Sequence, residues 1–557
     1  MSNAPQSGSG ARKVLIPNTI AVDAGYILRQ HRGRTGGFAR NKRQIGFVSE
    51  SRIFSYHNPL NSSANYTIDA ADVPILRKAV LQLAGIGYGE TPIRERLGLN
   101  DLADLRWRAL PIYCEEKLTI RDPQAIAIDL FLLQGAIPLA ELDHLFDQDI
   151  QAALVRAGLL LLDESGIARA RASLFPIGDR LIFSDHAWPA LPHPGIEEVS
   201  PDQVMFIGTD SRWLARATTR RSVGAALDLC TGSGIHALLA ATHTERVVAV
   251  DINLRAVQCA RFNCQAAGIN NIEVQLGDLY GPIGDVRFDL ITANPPFVPS
   301  PRDSLKYRDG GRSGEDIQQR IIAGLPQHLA PGGMAQIVTE FGERGDEPLA
   351  DRLREWLKDA PMDIHILRLR EYAAADYAIG HADGADSYEA FLDSVHDWAA
   401  NLRTQGYTRI VSVLLAFQWS DSTLGRPWTR SETPQSLHSA ANAEVEAAFA
   451  AERLVRKANF RELLERSRVR WAGPIALLEA RVLGGGVSGN TQAELLGNAL
   501  PTLQTLDPVE RDILLLIEKP LTVSELIALA QRFNVTRETI LTTIGSLIRR
   551  RLVHLFQ

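Results

Sequence analysis

Between Ala225 and Ser300 the chain changes its hydrophobic period repeatedly. Apolar runs in "ALDL", "ERVVAVDIN", "VQLGDLY" and "DLITANPPF" alternate with stretches whose apolar residues recur every three or four positions. Strand and helix periods in strict alternation predict a parallel α/β sheet. Further on, "MDIHILRLREY" and "YTRIVSVLLAFQW" predict the last strands, with a helical insertion between them. Ahead of the sheet, "DPQAIAIDLFLLQG", "PLAELDHLF" and "DQDIQAALVRAG" have helical spacing. "LLLLDESGIARARASLF" and "RLIFSD" then read as short strands around turns at Glu164–Gly166 and Gly178–Asp179. The order suggests a winged-helix-like unit. A second is predicted at the C-terminus from "DPVERDILLLIE", "TVSELIALAQRF", "TRETILTTIGSLIRRR" and a strand in "LVHLF". It is preceded by the helical "AEVEAAFAAERLVRKANFRELLERSRV" and a linker-like "LGGGVSGNT". The expected organisation is a flexible arm over 1–70, a helical and winged-helix-like module over 71–195, an α/β domain over 196–435 and a second such module over 436–557.

Composition narrows this picture only a little. A chain of 557 residues is too long for one ordinary core, and a net charge of −6 gives no global basic field for nucleic acid. Locally, Arg29–Arg52 holds seven basic residues against Glu50, which suits either an anion-binding arm or, more plainly, a solvated one. The third helix of the first module is acidic (Asp147, Asp149) with Arg156 for balance, which argues against groove binding. Arg537 and Arg549–Arg551 make the second module more basic, but core or partner packing is the favoured role, because a terminal Arg run also suits a helix C-terminus. Cys259 and Cys264 lack the further ligands of a zinc site, so no metal is expected. Cys114 and Cys230 complete a set without a disulfide pattern. With no long apolar run or leader-like segment, a cytoplasmic protein without membrane contact is expected.

The chemistry lies at the predicted strand ends. The first strand ends at Asp228-Leu229 and is followed by Cys230, Gly232 and Gly234 before a helix at Ile235. Glycines there let backbone approach a ligand in front of a helix N-terminus. Gly232-x-Gly234-x-x-Ala237 satisfies a dinucleotide pattern, so a nicotinamide enzyme enters consideration. Asp251, ending the second strand, can take both hydroxyls of a ribose and fits either cofactor class. Asp228 precedes the glycines, where a carboxylate would repel pyrophosphate but suit a sulfonium or an amino group. Asp278 can accept from an adenine amino group, and Asn294-Pro295-Pro296-Phe297 ends the fourth strand. All these positions share the carboxyl edge of one sheet, where open α/β sheets bind ligands.

This series resembles the class I S-adenosylmethionine-dependent methyltransferases, in the subgroup with an [N/D]-P-P-[Y/F/W] signature that methylates planar nitrogens. Cys230 stands where many members have a first glycine. The resemblance implies a Rossmann-like sheet flanked by helical and winged-helix-like modules. It assigns cofactor binding to Asp228, Cys230, Gly232, Gly234, Asp251, Asp278 and Asn294, and catalysis to Asn294, Pro295 and Phe297. In such enzymes the Asn294 side-chain oxygen and the Pro295 carbonyl would each accept one N–H of the target, while Phe297 offers a stacking face. Gly310-Gly311 and Gly314 ahead of a helix are similar to the glutamine-N5 methyltransferases of peptide-release factors, where Tyr usually replaces Phe297. A protein glutamine is the favoured acceptor. An adenine base in RNA or DNA, a small-molecule amine, and a non-catalytic cofactor-bound scaffold are the alternatives. Phe206–Thr219 is expected to edge the cofactor pocket, and the stretch around Tyr372 and Tyr377 could cover the active site.

Overall fold

The computed structural model describes residues 64, 66–106, 109–186, 201–302, 305–345, 347–382, 387–481 and 487–556. The expected flexible arm to residue 63 and the basic stretch Arg29–Arg52 lie outside them. Among the described residues no helix is long and apolar enough to cross a membrane.

The centre is one eight-stranded mixed sheet. Its strands are β1 (Val223–Leu229), β2 (Thr244–Asp251), β3 (Ile272–Leu276), β4 (Phe288–Ala293), β5 (Leu329–Glu343), β6 (Met362–Ala373), β7 (Arg409–Trp419) and β8 (Thr429–Glu432), in the order β3-β2-β1-β4-β5-β7-β6-β8. Neighbours from β3 to β5 are parallel, and β7 inserts antiparallel between β5 and β6. Strand order reverses between β1 and β4, which opens a crevice at their carboxyl ends.

The even and odd residues of these strands explain the layering. Ala226, Val247, Ala249 and Leu290 point to one face, where they meet helix α3 (Leu254–Ala267) through Val257, Ala260 and Phe262. Leu227, Leu229, Val248, Val250, Ile291 and Ala293 point to the other and meet α4 (Asp316–His328) through Ile321, Ile322 and Leu325. Both faces are covered, so these strands read as nearly continuous apolar runs. Three more helices matter for the site: α1 (Thr209–Ala217), α2 (Ile235–Ala240) and α5 (Ala374–His381), the last in the insertion between β6 and β7.

The predicted N-terminal pattern is realised in detail. Helices Leu139–Leu145 and Gln148–Arg156 lie beside a three-stranded antiparallel sheet of Ala136–Pro138, Ile167–Ala170 and Leu160–Leu162. A hairpin of Ser173–Ile177 and Arg180–Ser184 turns at Gly178. The module is bonded to α3. Asn263 accepts from the Phe183 N–H at 2.9 Å and donates to the Phe183 and Ser233 carbonyls at 2.8 Å each. Arg255 donates to Asp185, which also accepts from Tyr66 and from the Val204 N–H.

The stretch expected as a linker, residues 483–491, is described only from Val487 on: Ile475–Arg481 and Val487–Leu495 pair antiparallel, with Thr491 opposite Glu479, so that end is strand, and residues 483–486 lie outside the described residues. Backbone pairing satisfies these residues whatever their side chains. Arg549–Arg551 take the packing role expected of them. Arg549 and Arg550 meet Glu452 and Glu510. Arg551, 5% exposed and at φ 59°, forks onto both oxygens of Glu432 on β8 at 3.0 and 2.7 Å. Burial by itself would raise the Glu432 carboxyl, but His365 and Arg551 hold it well below its ordinary value.

Arg551→Ala would take the bidentate partner from buried Glu432 but leave Arg430 at 2.6 Å, so the cost, read as a lower urea midpoint, should fall below the roughly 3–5 kcal/mol of a fully stripped buried pair. Because the Glu432 pKa is depressed on folding, its contribution is full above the unfolded carboxyl value of about 4.3 and is lost as pH falls below it. The parent should therefore lose stability in acid more steeply than the variant.

Candidate active site

The loop after β1 is fixed by a carboxylate beneath it. Asp228 is 1% exposed and sits in register with Thr292 of β4. Its Oδ2 accepts from the Thr231 hydroxyl at 2.6 Å and from the Ala237 N–H at 3.2 Å, and its Oδ1 accepts from the Thr292 hydroxyl at 2.8 Å. Burial pushes its carboxyl up to about 6. The sequence reading sets Asp228 against a cofactor's positive charge. In the structure its hydrogen bonds run to the loop, α2 and β4, so it braces the site from below.

Three loop positions need unusual backbone. Cys230, Gly232 and Gly234 have φ of 54°, 54° and 84°. A Cβ on Gly232 would meet nothing within 4 Å, whereas one on Gly234 would lie 3.1 Å from Ala260 Cβ. Gly232 therefore bares its backbone, and Gly234 permits close packing of α2 on α3. Cys230 adopts the left-handed region despite its side chain, which is uncommon for such a residue.

Asp251 at the end of β2 accepts from the Gly232 N–H on one oxygen and the Asn253 N–H on the other, both at 2.9 Å. Burial raises its pKa. Ile252 next to it is 67% exposed. Asp278 is half-exposed, and its Oδ2 accepts from Arg320 at 2.7 Å. Cys230, Gly232, Asp251, Ile252, Asp278 and Asn294 all border one cavity of about 400 Å³.

A second cavity of about 560 Å³ adjoins it, and the two share Met205, Phe206, Ile207 and Tyr307 as walls. Phe297 faces the second cavity, whereas Asn294 and Pro296 face the first. The Asn-Pro-Pro-Phe turn thus stands on the seam. Pro295 is buried within it. The chain beyond is braced by Val298, whose N–H donates to the Arg308 carbonyl at 2.9 Å and whose carbonyl accepts from the Gly310 N–H at 3.0 Å. A Cβ on Gly310 would stand 2.8 Å from the Pro296 carbonyl, and one on Gly314 would collide with that of Phe297. The Gly-Gly-x-x-Gly stretch packs directly under the turn.

The Asn294 amide is held by one end only. Its Nδ2 donates to Asp210 Oδ2 at 2.9 Å and to the Ser211 hydroxyl at 3.2 Å. Its Oδ1 is buried and has no partner among the described residues. An orphan acceptor at the seam of two cavities, beside a bared loop and a strand-end carboxylate, is what a site for an adenosyl cofactor and a hydrogen-bonding acceptor requires.

The sequence placed Phe206–Thr219 beside the cofactor pocket without naming a residue; Asp210 and Ser211 on α1 are the ones that reach Asn294. It also missed Glu340 on β5, in the second cavity, which accepts from Tyr377 at 2.7 Å and Ser412 at 2.8 Å. Burial raises the Glu340 carboxyl. Tyr372 and Tyr377 do line that cavity, as do Leu132 and Phe175 of the N-terminal module. No local motif marks any of these, because each contact joins residues far apart in the chain.

Comparison with known proteins agrees with this geometry. Residues 207–357 match the model of the methyltransferase small domain. A ribosomal protein uL3 glutamine methyltransferase of Bradyrhizobium diazoefficiens is 42% identical over 134 residues, 22% of this chain and 41% of that one. A release factor glutamine methyltransferase of Geobacter sulfurreducens is 30% identical over 167 residues, 27% of this chain and 57% of that one. A second uL3 glutamine methyltransferase, from Bordetella pertussis, is 32% identical over 160 residues, 26% and 53% of the two chains. This chain thus spans about half the length of these relatives. Residues 207–357, which match the methyltransferase small domain, hold both the glycine loop and the Asn-Pro-Pro-Phe turn within a longer chain.

Proposed function

We propose that the chain is an S-adenosylmethionine-dependent N-methyltransferase whose acceptor is a planar nitrogen, the side-chain amide of a glutamine in a protein. The observation that carries this reading is the buried, unpartnered Asn294 Oδ1 on the seam between the two cavities. The glutamine methyltransferases among its relatives support the choice of acceptor.

The residues of the smaller cavity fit the cofactor. Asp251 has spare lone pairs for a ribose diol, the bared Gly232 backbone lets the chain approach closely, and exposed Ile252 offers an apolar face to a base. When bound, S-adenosylmethionine supplies a methyl group on a positively charged sulfur. The protein's task is to present the nitrogen. Asn294 Oδ1 and the Pro295 carbonyl would accept its two N–H bonds, which draws electron density toward an otherwise weak nucleophile. The prolines and the glycines packed beneath them keep these groups in place before the substrate arrives, a form of preorganisation. Phe297 is the flat surface beside them.

A nucleic-acid acceptor would recruit phosphate contacts, yet Arg549, Arg550 and Arg551 already meet carboxylates. A protein acceptor docked through the N-terminal winged-helix-like module, which reaches the larger cavity, fits better. The unpaired cysteines suit a cytoplasmic setting.

Asp251→Ala should weaken cofactor binding about 10- to 100-fold, or about 1.5–3 kcal/mol, in equilibrium titration; unchanged affinity would remove Asp251 from the cofactor site. To identify the acceptor, purified protein and methyl-labelled cofactor would be incubated with a cell lysate, which is then divided between protease and nuclease. Label released by protease is the expected outcome. Release by nuclease alone would replace glutamine with a base.

A further inference from the structure

We infer that Asp210 is a positioning residue for methyl transfer: its carboxylate dictates which end of the Asn294 amide faces the acceptor nitrogen. The inference rests on the reading of Asn294 as the group that receives the acceptor N–H.

An asparagine amide is nearly symmetric in shape, and only its hydrogen-bond partners decide which end points where. Turned over, Asn294 would offer N–H groups to the N–H groups of the acceptor, and both the hydrogen bond and the electron-donating contact would be lost. A carboxylate accepts and never donates while ionised, so Asp210 at 2.9 Å admits only the NH₂ end. The Ser211 hydroxyl at 3.2 Å accepts from the same nitrogen. Oδ1, the other end, is then left buried and without a partner among the described residues. Hydrogen bonding to an anion also polarises the amide and makes Oδ1 a stronger acceptor.

The local fold is arranged around this contact. Asp210 sits in the first turn of α1, where the dipole favours its charge. Gly208 caps that helix, and a Cβ there would stand 2.7 Å from Asp210 Oδ1. The carboxylate thus occupies space that any other residue at 208 would contest. Asp210 borders the larger cavity and Asn294 the smaller, so the bond spans the seam. Burial raises the Asp210 pKa, and the hydrogen bond from Asn294 is the strongest influence opposing that rise.

Exchanging donor and acceptor tests this directly. In Asn294→Asp two carboxyl groups face each other, and turnover, read across a pH series, should fall about 100-fold where both are ionised and less where the pair shares a proton. Adding Asp210→Asn restores the hydrogen bond in the reverse sense. The amide introduced on α1 donates to the carboxylate introduced on the turn, whose other oxygen still faces the acceptor. Turnover should return to within about tenfold of the parent. A folded double variant no more active than Asn294→Asp would overturn the inference. Should the double variant not fold, Asp210→Asn alone decides: turnover lowered at unchanged cofactor KM supports it, and unchanged turnover overturns it. A parent that transfers no label to any acceptor would instead defeat the methyltransferase reading itself.

Discussion

The site depends on one buried carboxylate that borders neither cavity. Asp228 gathers hydrogen bonds from Thr231 in the loop, Ala237 in α2 and Thr292 on the neighbouring strand, and so ties together three elements that must move as one. At 1% exposure its charge would be expensive without these donors. With them, the loop is held in a strained series of positive φ angles that leaves the Gly232 backbone open to the cavity. A second carboxylate, Asp251, repeats the device from β2 by accepting the Gly232 N–H.

The larger cavity is built differently. Phe297 and Val298 line it from the end of the turn, supported by glycines that could not bear a side chain, and its other walls come from α1, from β5, from the insertion α5 and from the N-terminal module. Tyr377 reaches Glu340 from the insertion and Ser412 from the neighbouring strand. Such a cavity can change its occupant by altering modules while the transfer chemistry stays in place, which is how one scaffold serves several acceptors.

The flanking modules are tied to the sheet by polar bonds as well as by apolar contact. Asn263 links the N-terminal hairpin to Ser233, which lies in the glycine loop itself. At the other end, Arg551 reaches Glu432 on the edge strand β8, so the arginine run serves internal cohesion.

The sequence by itself determined the α/β class, the strands and their ends, and the placement of Gly232, Asp251, Asp278 and Asn294 around one crevice. It could do so because these follow from short-range periods and from the rule that parallel strands share a carboxyl edge. It also foresaw the turns at Gly166 and Gly178, since both need positive φ. Only the tertiary structure decided which of those residues face a ligand: Asp228 turned inward, and Asp278 toward Arg320. It alone brought Asp210 to Asn294 and Tyr377 to Glu340, across 84 and 37 residues. It also showed residues from Val487 on to be strand and identified the carboxylate partners of the arginine run. Hydrophobic periodicity records which face of an element is buried, but a hydrogen bond between distant side chains leaves no period in the chain.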